Sequence, residues 1–106
     1  MKIQEKVEIL KSIDILSFLH EATLERLAEE SEEIQLKSDE VLFHEGELGQ
    51  TMYIVLSGGV VVFKDDIEIT ELAPGSIFGE MALIEKKPRS ASVRTIAQSL
   101  LMEINE

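Results

Sequence analysis

Cysteine and tryptophan are both missing from this 106-residue chain. Without thiols, disulfide frameworks, thiolate zinc sites and cysteine nucleophiles are excluded. Histidine is scarce, with only His20 and His44. A jelly-roll metal enzyme needs clustered histidines on strands plus a glutamate, and that pattern does not occur. His44 with Glu45 and Glu47 is a weak metal candidate, and a surface histidine at a turn is the plainer reading. There is no Gly-x-Ser-x-Gly elbow and no P-loop, so the chain is expected not to be an enzyme. Long apolar runs are also lacking. Val60–Phe63 is typical of them and far too short to cross a bilayer. Charge continues after Met1 where a signal peptide would turn apolar. The expectation is a soluble, cytoplasmic domain with no membrane contact.

Basic residues are the minority, ten against 21 acids, for a net charge of −11. Phosphate backbones need a basic footprint, so nucleic acid is not an expected partner. Four of the ten basic residues, Lys86, Lys87, Arg89 and Arg94, nevertheless fall within nine positions, and no acid occurs from Lys86 through Met102. Such an island is either a solvated loop or the seat of a small anion, since nearby charge outweighs distant screened charge.

What is present is 44% hydrophobic residues, enough for one domain with one core. Val7, Leu10 and Ile13 recur at helical spacing, as do Leu24, Leu27 and Ala28, with a break from Asp14 to His20. The acidic run Glu29–Glu33 reads as a solvated helix end. From Ile34 the period changes. Strands are expected at Val41–His44, Met52–Leu56, Val60–Lys64, Ile67–Leu72, Ala91–Thr95 and Leu100–Ile104, separated by glycine- and aspartate-containing turns. Ile67-Glu68-Ile69-Thr70 alternates as a half-exposed strand would, and Val60–Phe63 is apolar on both faces. The fold class is therefore mainly β, a sandwich, jelly roll or barrel with N-terminal helices. A helical segment spans residues 1–33 and the β-roll spans 34–106.

The strand pattern breaks once, between Gly75 and Pro88. Gly79–Glu85 holds good helix formers, so a short helix is expected between strands, with Glu80 in its first turn. Glu80 could serve only the helix dipole, and Arg89 could be a surface arginine paired with any of many acids. Together they suggest more. A Gly-Glu step before the helix, an arginine after it and the small Ser90-Ala91 pair beside that arginine can hold a phosphate and a ribose.

At these residues the chain resembles the cyclic-nucleotide-binding domain family. Phe78-Gly79-Glu80-Met81-Ala82-Leu83 followed by Pro88-Arg89-Ser90-Ala91-Ser92-Val93 is similar to that family's phosphate-binding cassette. Leu42, Gly46-Glu47, Gly49, Met52-Tyr53-Ile54-Val55 and Gly58 resemble its glycine-punctuated strand pair. The resemblance covers roughly residues 10 to 104. It implies a β-roll carrying a phosphate-binding cassette that takes cAMP or cGMP as ligand, with no cofactor. Glu80 would accept a bond from the ribose 2′-hydroxyl. Amides near Gly79 and Ala82 would face the cyclic phosphate, with Phe78, Met81 and Ala91 beside them. Arg89 would pair with the phosphate oxygens, with Ser90 adding a hydroxyl. Val62, Ile69 and Leu72 would seat the base and sugar. Serine at 90 fits either nucleotide, and cAMP is the preferred expectation. The resemblance further implies helices after the last strand that cover the base, and an attached output domain that receives the signal. A structural or protein-interaction domain of the same fold that no longer binds nucleotide is the alternative.

Overall fold

The computed structural model describes residues 1–13, 16–79 and 87–105. Two helices come first, α1 (Ile3–Lys11) and α2 (Glu21–Glu30). In α1, Glu5 in the first turn and Lys11 in the last complement the helix dipole. Helix α2 stops at Ser31, whose backbone is extended and whose hydroxyl donates to the Ala28 carbonyl at 2.7 Å. The acidic run is thus divided. Glu29 and Glu30 close the helix, while Glu32 and Glu33 already belong to a strand.

Among the described residues eight strands follow: β1 (Glu32–Leu36), β2 (Val41–Phe43), β3 (Thr51–Ser57), β4 (Val60–Lys64), β5 (Ile67–Leu72), β6 (Ile77–Phe78), β7 (Ser92–Thr95) and β8 (Ser99–Asn105). They form two four-stranded sheets, ordered β1-β8-β3-β6 and β2-β7-β4-β5. Every pairing among them is antiparallel. The sheets pair within themselves and do not close into a barrel. The expected jelly-roll architecture is therefore an open two-sheet form. Neither β1 nor the two-residue β6 has a counterpart among the strand ranges read from sequence.

The core has two compartments, and β3 separates them. Met52 and Ile54 face the helices, packing with Val7, Leu10, Ile13, Leu24 and Ala28 and with Met102 and Ile104 of β8. Tyr53 and Val55 face the other way, among Val60, Phe78, Val93 and Leu101. A strand buried on both faces shows no apolar-polar alternation, which is why Met52–Val55 reads as a continuous apolar run.

Strand β5 departs from its sequence pattern. Ile67 through Glu71 are all exposed, so the alternation there does not mark a buried face. The strand lies at the edge of its sheet, and the pairing with β4 slips between Val62 and Phe63. Val62 pairs with Thr70 and Phe63 with Glu68, so Ile69 is the extra residue of a bulge.

Candidate functional site

The site gathers on Arg89, which is only 8% exposed. Its backbone is fixed before its side chain is considered. The Arg89 amide donates to the Glu47 carbonyl at 2.8 Å, and the Gly46 amide donates to the Arg89 carbonyl at 2.8 Å. The partner segment is a tight turn, in which the Glu47 amide donates to the His44 carbonyl at 3.1 Å. The Glu45 amide ties that turn to β7 through the Ser92 hydroxyl at 2.9 Å.

The guanidinium reaches back under β3. Nη2 donates to the Thr51 carbonyl at 2.9 Å and Nη1 to the Gly79 carbonyl at 3.3 Å. Its Cζ lies 4.1 Å from the centroid of the Phe43 ring. Two glycines make this approach possible. A Cβ on Gly49 would lie 2.9 Å from Nη2, and one on Gly79 would lie 2.8 Å from both Nη1 and the Thr51 carbonyl oxygen. Gly79 also has φ +80°, a region side-chain-bearing residues avoid.

Electrostatically the position is unusual. Burial pulls the guanidinium's pKa below its ordinary value, opposed by Tyr53 and Glu47. Among the described residues, no carboxylate lies within ion-pair distance of Arg89. Two of its five N–H donors go to carbonyls, and the other three have no protein acceptor among those residues. A buried cation held by neutral groups is suited to receive an anion.

Of the residues expected at the site, the structure brings Phe78, Gly79 and Arg89 together. Phe78 is buried and stacks on Tyr53 at 5.1 Å between centroids. Ser90 follows Arg89 and is exposed, and Ala91 is half-buried. Val62 and Leu72 pack against the Tyr53–Phe78 cluster. Ile69 does not join them. It is 56% exposed and lies outside both core compartments. Glu80, Met81 and Ala82, with the short helix expected at Gly79–Glu85, lie outside the described residues. Among the described residues no three metal-ligating side chains converge. His44 and Glu47 instead pair with each other, Nδ1 to Oε1 at 3.0 Å.

Three contributors are not legible in sequence. Thr51 acts through a carbonyl, Gly49 through the space it leaves, and Phe43 through a ring aimed by a strand irregularity. Only Gly49 carried a signal, as one of several spaced glycines.

Comparison with known proteins identifies the family. Residues 33–106 match the family model described as the cyclic nucleotide-binding domain. The chain belongs to that family. It is 29% identical over 106 residues to a cAMP-dependent protein kinase regulatory subunit from Dictyostelium discoideum, covering 92% of this chain and 32% of the relative. It is 30% identical over 95 residues to a cGMP-dependent protein kinase from Plasmodium berghei, covering 90% of this chain and 11% of that protein. The chain thus spans about a third or less of these relatives. The regulatory domain of Toxoplasma gondii PKA, solved with cAMP, superposes with a TM-score of 0.90 at 27% identity, over 97% of this chain and 41% of that one. No helix among the described residues is long and apolar enough to cross a membrane.

Proposed function

We propose that this chain is a non-catalytic, cytoplasmic regulatory module that binds a cyclic nucleoside monophosphate, with cAMP preferred over cGMP, and transmits that binding to an attached output domain. One observation carries the reading: the Arg89 guanidinium is buried, held by two carbonyls and a ring, and has no carboxylate partner among the described residues. The cyclic phosphate is the anion assigned to it. Glu80 takes the ribose 2′-hydroxyl, and amides near Gly79 and Ala82 face the phosphate alongside Phe78, Met81 and Ala91. Ser90 adds a hydroxyl, while Val62 and Leu72 support the base and sugar. Ile69, which is exposed, is assigned to the outer rim of that seat. Relatives named for cAMP and for cGMP both resemble the chain, and the preference for cAMP is the finer part of the proposal.

Calorimetric titration of the protein with cAMP and cGMP tests this. Replacing Arg89 with alanine removes a desolvated charge partner and should weaken binding by ~2–5 kcal/mol. Equal affinities for wild type and R89A would remove Arg89 from the site. Nucleotide at 100 times its dissociation constant should raise stability by about 2.7 kcal/mol. No thermal shift with either nucleotide at millimolar concentration would favour a protein-interaction domain of the same fold.

A further inference from the structure

Strand β2 carries an irregularity that does one specific thing. Val41 pairs with Arg94 of β7, but Phe43 pairs with Val93, so two steps along β2 match one step along β7. Leu42 is the extra residue of a β-bulge. Directly paired residues share a face of the sheet. Val41 lies on the face of Arg94 and is 44% exposed, whereas Phe43 is carried to the face of buried Val93. Regular pairing would have put Phe43 on the same face as Val41. The bulge therefore turns the Phe43 ring inward, where both Leu42 and Phe43 pack on the inter-sheet cluster.

The ring that arrives there is braced. Tyr53 and Phe78 each lie 6.2 Å from it between centroids, and they stack on each other at 5.1 Å. The Arg89 guanidinium lies over the ring, 4.1 Å from the centroid. A cation over an aromatic face is attracted by the ring quadrupole, most strongly when water is excluded. Contact with the ring face also limits where the guanidinium can go. Two of its N–H groups meet the Thr51 and Gly79 carbonyls, and the other three have no acceptor among the described residues.

We propose that Phe43 is a positioning residue for anion recognition: its face holds the Arg89 guanidinium where the N–H groups not taken by the Thr51 and Gly79 carbonyls can meet phosphate. This rests on the reading of Arg89 as the phosphate ligand. Phe43 itself touches no ligand in this scheme. It acts through Arg89, and replacing the ring by an aliphatic group of similar bulk should release the arginine without emptying the core.

The test combines a ligand-free readout with a binding readout on F43L, F43M and F43Y. In carbon-edited NMR spectra of the free protein, the Arg89 δ protons, assigned through their loss in R89K, should be shifted upfield by the ring. That shift should vanish in F43L and F43M and persist in F43Y. Titration with cAMP should give about tenfold weaker binding for F43L and F43M, with affinity restored in F43Y. The tenfold effect should shrink to about twofold or less when F43L is added to R89K, because the two residues act as one unit. An unchanged affinity in both aliphatic variants, an upfield shift that survives them, or an undiminished effect in R89K would each overturn the proposal. If wild type gave no heat with cAMP or cGMP, the phosphate reading would fall. The ring-current shifts alone would then decide whether Phe43 holds Arg89.

Discussion

Gly79 has two separate reasons to be glycine. Its φ of +80° costs an L-residue roughly 1–2 kcal/mol, and its missing Cβ is the space between the Thr51 carbonyl oxygen and Arg89 Nη1. The backbone oxygen cannot move aside as a flexible side chain could. Gly79→Ala should therefore lower unfolding free energy by about 2–3 kcal/mol in urea titrations. It should also weaken cyclic nucleotide binding, because the arginine loses one carbonyl and part of its berth. Gly49 differs, since only the tip of Arg89 stands in its way. At this scale the sequence was informative where a side chain carries the chemistry, as with Arg89. It was mute where a carbonyl or an empty volume does.

Between elements, Thr95 at the end of β7 stitches the β1–β2 connection to the second sheet. It is fully buried. Its hydroxyl accepts from the Glu40 amide at 2.9 Å and donates to the Lys37 carbonyl. Its backbone bonds Glu40 and Asp39, the latter held at φ 69°. Valine has nearly the same shape but no hydroxyl, so Thr95→Val strands one donor and one acceptor. The expected cost is about 1–3 kcal/mol, read from chemical denaturation. Strand existence was largely legible from turn residues and β-rich runs, because those signals are local. Bulges were not, since a bulge is a property of two strands in register. The same cause hid the inward turn of Phe43 and the exposure of Ile69. Strand β6 escaped because two residues are too short to show a period.

Across the whole molecule, 21 acids against ten bases leave the folded state repelling itself at neutral pH. Added salt at pH 7 should raise the melting temperature by screening that repulsion. Acid brings a competing loss. The Glu47 carboxyl is held below its usual range, first by the hydrogen bond from the His44 side chain and then by the His44 amide. A depressed carboxyl stabilises fully above its unfolded value, about 4.3. It loses that contribution as pH falls through the lower folded value. Melting temperature at low salt should consequently hold or rise on going from pH 7 toward 5. It should then drop below about 4, and Glu47→Gln should show a shallower acid drop. The turn that carries Glu47 also pairs with Arg89, so acid loosens the backbone clasp beside the site.

The helix-then-strand order was readable from sequence because it is a linear pattern. The division of the core into two compartments was not, because it depends on which strand is central. That division gives β3 an accounting by parity. Met52 and Ile54 answer to the helices, Tyr53 and Val55 to the compartment between the sheets. Changes at even positions would be repaired by compensating changes in Val7, Leu10 or Leu24, and those at odd positions by changes in Val60, Phe78 or Val93. Substitutions in the helical compartment and in the inter-sheet compartment should therefore be nearly additive in stability. Thr51 is the exception, because its carbonyl serves the site whatever its side chain becomes.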